Sequence, residues 1–136
     1  EFVWEIIDND PEFPFPDYHG EKMTIQDCWL AVEKRHVQDA IRSLMRKMNI
    51  DVVELAENHE KTRFCGMNLV APKRYVEEGG HMFQPIPPEE QAAYFQSYCA
   101  QFTTDRVVCY CKSCRGGLLK GGKKALHILE LLFPEE

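Results

Sequence analysis

The segment RVVCYCKSCRGGL, from Arg106 to Leu118, places three cysteines within six residues, after a β-branched run and before a pair of glycines. Cys111 and Cys114 form a C-x-x-C pair at a predicted strand-to-helix turn. Such thiols can form a disulfide, a redox-active dithiol, or one side of a metal or iron–sulfur site. A thioredoxin-type dithiol lies near the first βαβ unit of its chain, whereas this pair lies late. Metal or cluster ligation is the favoured interpretation, with thiol redox chemistry and structural cysteines as alternatives.

Strands and helices alternate along the chain and must position these thiols. Runs of β-branched and apolar residues predict four strands, over 22–28, 50–56, 106–111 and the first part of 124–133. Helical spacing of apolar residues and helix-start signals predict the helices, over 31–49, 88–104, the turn after 111 and the chain end. This alternation predicts an α/β fold, a single domain with a roughly four-stranded, mainly parallel sheet and helices on both faces.

Four of the cysteines follow the ends of predicted strands. Cys28 ends the first strand, Cys65 follows the second by a short segment, and Cys111 ends the third with Cys114 in the turn after it. In open parallel sheets, ligands collect beyond the carboxyl ends of the strands. We therefore predict that these four thiols converge at one edge of the sheet, where soft thiolates suit Zn or an iron–sulfur centre.

Other motifs are interpreted as structural. Cys109 alternates with Cys111 along a strand and is predicted to be a core thiol on the opposite face, and Cys99 is predicted to pack inside a helix interface. The stretch GLLKGGK matches the start of a phosphate-binding loop, but Lys124 stands where Ser or Thr is needed, so a helix C-cap is predicted. His127 is interpreted as a buried, hydrogen-bonded histidine.

Composition bounds the class of protein. The chain has 136 residues, of which 44% are hydrophobic and 28% charged, so one domain can bury its own core. A net charge of -6 argues against nucleic-acid binding, and no apolar run is long enough to span a membrane. Six cysteines in a chain of this size favour a reduced, cytoplasmic protein over a disulfide framework.

Domain organisation is predicted to be simple. Residues 1–21 contain NDPEFPFPDYHG, whose prolines interrupt regular structure, and are interpreted as an N-terminal tail or linker. Residues 22–136 form the cysteine-rich domain. The chain lacks an initial Met, which suggests a mature chain or a piece of a longer polypeptide or complex.

Four motifs, DCWL, RFCGMN, VVCYCKSC and KKALHILELLF, together resemble the cysteine-rich CCG domain. This domain occurs in the disulfide-cleaving component of heterodisulfide reductase and in iron–sulfur subunits of glycolate, lactate and glycerol-3-phosphate oxidising systems. The likeness runs from about residue 22 to 133 and is most specific in the last third. It implies an iron–sulfur cluster, an electron-transfer role and the ligands Cys28, Cys65, Cys111 and Cys114.

The chain departs from the family pattern at the Cys-Cys-Gly motif. Phe64 replaces its first cysteine, and Asp27 replaces the proline before the first cysteine of the pattern. Four thiolates remain, which suit an ordinary [4Fe–4S] cluster or a tetrahedral Zn. If the chain descends from a five-thiolate protein, the ring of Phe64 is expected to lie beside the site.

The resemblance predicts an iron–sulfur redox domain that relays electrons within a cytoplasmic oxidoreductase, as a component rather than a self-contained enzyme. Its partner would be a flavin- or iron–sulfur-containing protein. The alternatives are a noncatalytic, zinc-stabilised docking domain of a larger oxidoreductase and a metal-free scaffold.

Overall fold

The computed structural model describes residues 2–62, 64 and 87–135. Within them, four strands form one all-parallel sheet in the order β2-β1-β3-β4. The strands are β1 (Lys22–Ile25), β2 (Asp51–Val53), β3 (Arg106–Cys109) and β4 (Lys124–His127). The predicted single-domain α/β fold is therefore confirmed.

Helices cover both faces of this sheet. The described helices are α1 (Val3–Asp8), α2 (Arg35–Lys47), α3 (Pro88–Cys99), α4 (Lys112–Lys120) and α5 (Ile128–Leu132). Crossovers between parallel strands are right-handed as a rule, and with the strand order β2-β1-β3-β4 this rule puts α2 on one face of the sheet and α3 and α4 on the other. Accordingly, α1 packs against α2, and α3 packs against α4. Among the helices of the described ranges, none has the length and apolarity needed to cross a bilayer.

Three of the strands stop earlier than the sequence predicted. β2 ends at Val53 rather than at residue 56, and the other two precede the cysteines. β1 ends at Ile25 and β3 ends at Cys109, so Cys28 and Cys111 both lie in the loops that follow. The Cys28 N–H donates a hydrogen bond to the hydroxyl of Tyr110 at 3.2 Å, instead of to a neighbouring strand. At Cys28, a side-chain hydroxyl therefore takes the place of a strand carbonyl as the hydrogen-bond acceptor.

Positive backbone dihedrals end two helices. After α2, Asn49 has a φ of 56°, and the Ile50 N–H donates to the Met45 carbonyl at 3.0 Å. After α4, Gly122 has a φ of 87°, and the Lys123 N–H donates to the Leu118 carbonyl at 3.1 Å. Both are left-handed C-terminal caps. The prediction that GLLKGGK is a helix cap is confirmed.

The N-terminal segment packs onto this body. Tyr18 donates its hydroxyl hydrogen to the Leu131 carbonyl at 2.6 Å, and Phe13 meets the ring of Phe133 edge-on at 5.6 Å. These contacts bury part of the segment against α5. The division of the chain at residue 21 stays a prediction.

The hydrophobic core lies between the sheet and its helices. Its fully buried members from β1, β3 and α2 are Met23, Ile25, Val107, Val108, Cys109, Ile41, Leu44 and Met45. Burying side chains of this size stabilises the fold by about 1.5–3 kcal/mol each. The loops that carry the cysteines therefore follow strands that are well packed in the core.

Candidate metal centre

The site lies where the strand order reverses. The chain passes from β1 outward to β2, and then returns across β1 to β3 and β4. The point between β1 and β3 is therefore the topological switch point, and ligands of doubly wound sheets bind beyond the strand ends there. Cys28 follows β1, and Cys111 follows β3. Strand order thus brings the two loops side by side.

Three of the predicted ligands meet at this point. The Sγ atoms of Cys28, Cys111 and Cys114 all lie within 4.8 Å of one another. Cys28 and Cys114 are buried, whereas Cys111 is partly exposed. Cys111 is the N-cap of α4, and Cys114 lies in the first turn of that helix. These three thiols can hold a metal ion.

The pKa values of the three thiols shift in different directions. Hydrogen bonds from the thiols of Cys114 and Cys28 hold the pKa of Cys111 well below its usual value, and the amides of Cys114 and Ser113 in the first turn of α4 lower it further. The same contacts raise the pKa of Cys114. The Cys28 pKa rises to about 12, chiefly through its hydrogen bond with Cys111. The direction of these shifts favours Cys111 as the first of the three thiols to ionise, and a metal ion must displace the protons that remain.

A buried ion pair adjoins the first cysteine. Arg42 is 3% exposed and binds the carboxylate of Asp27 through both terminal nitrogens, at 3.1 Å and 2.7 Å. It also binds Glu54 through two nitrogens at 2.8 Å each. Burial would raise the pKa of Asp27, but the hydrogen bonds and charge of Arg42 hold it below its usual value. The carboxylate beside Cys28 is thus ionised and compensated.

Tyr110 connects this pair to the cysteine loops. Its hydroxyl donates to Asp27 Oδ1 at 2.9 Å and accepts the Cys28 N–H at 3.2 Å. The sequence analysis missed Asp27, Arg42 and Tyr110 as functional residues. The only local signal was an acidic residue directly before a predicted ligand, because Arg42 lies far away in the chain.

An apolar cavity of about 220 Å³ adjoins the thiols. Cys28 and Cys111 line it from the site. The other walls come from α1 and its N-cap, from the segment between Cys28 and the first turn of α2, and from the loop after β3: Phe2, Trp4, Leu30, Ala31, Lys34, Val37 and Tyr110. Trp4 stands 6.4 Å from the ring of Tyr110 and 6.5 Å from that of His127, centroid to centroid. Aromatic walls therefore border two of the three sulfurs.

Phe64 is buried near the loop that carries Cys28. It is 2% exposed and stacks on Tyr98 with ring centroids 4.4 Å apart. Burial raises the pKa of Tyr98, and the nearby Cys114 adds to this effect. The Phe64 carbonyl accepts the N–H of Trp29, the residue after Cys28, at 3.0 Å. The expectation that the ring of Phe64 lies beside the thiols stays a prediction.

The fourth predicted ligand, Cys65, lies outside the described residues, so its role stays a prediction. Cys109 and Cys99 are separate from the three-thiol group. Burial raises the pKa of Cys109 to about 12, and its thiol faces the Leu126 carbonyl at 3.6 Å. Cys99 is buried and faces the Leu118 carbonyl at 3.9 Å. Both are core thiols, as predicted.

His127 also has a structural partner, as predicted. Its Nδ1 atom accepts the Leu129 N–H at 3.1 Å and caps α5. Burial lowers its pKa. The imidazole is therefore held neutral beside the turn of Tyr110 rather than offered to a cation through Nδ1.

Comparison with known proteins adds no assignment. No protein-family model matches the chain, and no curated protein or solved structure matches it. The resemblance to the CCG domain rests on the sequence motifs alone.

Proposed function

We propose that this chain is a thiolate metal-binding domain whose ligands are Cys28, Cys111 and Cys114, with Cys65 as the fourth. The observation that carries the proposal is the approach of three sulfurs to within 4.8 Å of one another at the switch point of the sheet. Thiols gathered at this spacing repel one another once ionised, unless a cation lies between them.

The spacing favours a single tetrahedral ion. With a Zn–S distance of about 2.3 Å, the sulfurs of a tetrahedral site lie about 3.8 Å apart. Because the three sulfurs already lie within 4.8 Å of one another, the loops need to move little to reach this spacing. In a four-iron cluster each thiolate binds a different iron, which keeps the sulfurs farther apart. Zinc is therefore the metal that the geometry supports best, in a structural role that ties the ends of β1 and β3 to α4.

Cys65 is proposed as the fourth ligand from its position in the sequence. Its covalent neighbour Phe64 is hydrogen-bonded to the residue that follows Cys28. A closed site of four protein ligands is typical of structural zinc and leaves no position for a substrate. This version of the proposal is a noncatalytic, zinc-stabilised docking domain of a larger oxidoreductase.

An iron–sulfur redox domain is the second candidate. The apolar cavity beside Cys28 and Cys111 favours it, because a group larger than one ion needs such space beside its ligands. The donor set, entirely sulfur, suits a [4Fe–4S] cluster as well as zinc. In this version the domain would relay electrons to a flavin- or iron–sulfur-containing partner, as the CCG-like motifs imply.

Anaerobic purification followed by zinc, iron and sulfide analysis tests both versions. A colourless protein with about one zinc per chain supports the first, and a brown protein with iron and sulfide supports the second. Protein with neither metal after reconstitution contradicts the proposal as a whole.

Single serine substitutions assign the ligands. Cys28→Ser, Cys65→Ser, Cys111→Ser and Cys114→Ser should each lower the metal content. Cys99→Ser is the matched control, because Cys99 is a buried thiol away from the three-thiol group. Equal loss in the control would mean that the metal responds to stability rather than to ligation.

A further inference from the structure

We infer that Tyr110 is a positioning residue whose hydroxyl holds the Cys28 loop at metal-binding distance from the Cys111–Cys114 turn before the metal binds. The inference rests on the proposed metal site and deepens it. It concerns what sets the spacing of the sulfurs, which neither the motifs nor the ligand set specifies.

The hydroxyl of Tyr110 forms hydrogen bonds with two adjacent residues of the loop after β1, Asp27 and Cys28. It accepts the Cys28 N–H at 3.2 Å and donates to Asp27 Oδ1 at 2.9 Å. Tyr110 itself is the residue before Cys111 and is 7% exposed. A single buried group therefore joins the loop after β1 to the loop after β3, directly beside the ligands.

The far end of this connection is anchored in the body of the domain. The Asp27 carboxylate, in addition to Tyr110, accepts hydrogen bonds from two nitrogens of Arg42 and from the His59 N–H at 2.8 Å. Arg42 is a buried residue of α2 that also binds Glu54. Because four hydrogen bonds hold its carboxylate, Asp27 gives Tyr110 an acceptor of fixed position.

Such a connection matters because ligand loops without it sample wider separations. Groups that orient metal ligands from behind typically change metal affinity by about 10–100-fold when they are removed. Removing only the hydroxyl leaves the ring in the wall of the cavity. The change thus isolates the hydrogen bonds from the packing.

Cobalt(II) titration of the reduced chain under anaerobic conditions measures this effect. Thiolate-to-cobalt charge-transfer absorption reports how many thiolates bind, and competition with a chelator gives the affinity. Tyr110→Phe should bind Co²⁺ about 10–100-fold more weakly than the wild type. The matched control is Tyr18→Phe, which deletes a hydroxyl hydrogen bond to Leu131 and should leave the affinity unchanged.

A double-mutant cycle with Cys28→Ser separates positioning from general stability. If Tyr110 acts through Cys28, adding Tyr110→Phe to Cys28→Ser should weaken Co²⁺ binding much less than it does in the wild type. Additive losses would contradict the inference, and so would wild-type affinity and spectrum in Tyr110→Phe or an equal loss in Tyr18→Phe.

Circular dichroism checks the fold of each variant. If Tyr110→Phe is unfolded, it is titrated at a lower temperature at which its circular dichroism spectrum matches that of the wild type, and the wild type is titrated at the same temperature. Failure of Tyr110→Phe to fold at any temperature contradicts the inference, because a positioning group is not needed for the metal-free fold. Wild-type protein without a thiolate-to-cobalt band contradicts the proposed function itself, which is a distinct outcome.

Discussion

At the scale of single residues, Arg42 is a buried cation that is paired with two carboxylates. It is 3% exposed and faces the carboxylates of Asp27 and Glu54. A buried charge of this kind is tolerated because its partners are in place, and removing one partner leaves an uncompensated charge.

Arg42→Met should therefore lower the free energy of unfolding by about 3–5 kcal/mol, measured by urea denaturation. Arg35→Met on the same helix is the matched control, because its guanidinium is 61% exposed and pairs with Asp39 at 3.0 Å. Exposed pairs contribute about 0–1 kcal/mol. Similar losses in the two variants would show that the burial of the Arg42 pair has no energetic consequence.

Phe64 is the second residue whose change discriminates between models. Phe64→Cys should raise iron and sulfide incorporation during anaerobic reconstitution if the site descends from a five-thiolate cluster binder. The packing loss should be somewhat below the about 3–5 kcal/mol typical of cutting a buried aromatic to Ala. Phe102→Cys, at a buried position before β3, controls for an added thiol. Equal iron in both variants would contradict the alignment of Phe64 with the motif.

At the scale of elements, α3 and α4 pack closely near the end of α4. A Cβ atom added at Gly121 would lie 2.7 Å from the Phe95 carbonyl oxygen and would also meet Cys99 Sγ, whereas one added at Gly116 would have nothing within 4 Å. The two positions therefore differ in the free space around them, although Gly116 lies within α4 and Gly121 is the C-cap of the same helix.

Gly121→Ala should lower the free energy of unfolding by about 1–3 kcal/mol through overpacking. Gly116→Ala should raise it by about 0.5–1 kcal/mol, because alanine favours a helix interior. Urea denaturation of the two variants measures both signs. A stabilised Gly121→Ala would mean that α3 and α4 separate without cost.

Two neighbouring strands are also joined by charge at their amino ends. Arg106, which begins β3, donates to the Glu21 carboxylate just before β1 at 2.7 Å through Nε. This hydrogen bond lowers the pKa of Glu21 from its usual value of 4.5, against the opposing effect of burial. The ionised form is favoured in the folded state, so its contribution is present above pH 4.5 and is lost as the pH falls below that value.

Wild type should therefore exceed Glu21→Gln in stability at pH 7, by less than about 1 kcal/mol because both side chains are partly exposed. The difference should shrink as the pH falls from 5 to about 3. Urea denaturation at several pH values measures it, with Glu12→Gln, an exposed carboxyl, as the control. A difference that grows in acid would reverse the assigned direction of the Glu21 pKa.

At the scale of the whole molecule, we expect the fold to be independent of the proposed metal. The buried core extends over strands and helices on both faces of the sheet, and Cys28 and Cys114 are only two of its many members. A domain of this size folds on such a core, unlike small zinc fingers that unfold without metal. The metal should add stability to a chain that is already folded.

Removal of the metal with a chelator should therefore lower the melting temperature while the far-UV circular dichroism spectrum at 25 °C is retained. Binding to the folded state alone adds about 2.7 kcal/mol at a free metal concentration 100 times Kd. Cys114→Ser should show no shift on chelation, since it lacks a ligand. Complete unfolding of the metal-free wild type would show that the metal organises the core.

The sequence by itself determined the alternation of elements, and hence the parallel α/β fold, because hydrophobic periodicity and turn residues act locally. It also placed Cys28 and Cys111 at the carboxyl ends of strands, with Cys114 in the turn after Cys111, and marked the helix end at Asn49. Only the tertiary structure decided the order β2-β1-β3-β4, which makes β1 and β3 neighbours and brings the three sulfurs together. The same local pattern is compatible with orders that separate them. The contacts of Asp27 with Arg42 and Tyr110 span 15 and 83 residues of chain, so no local period encodes them.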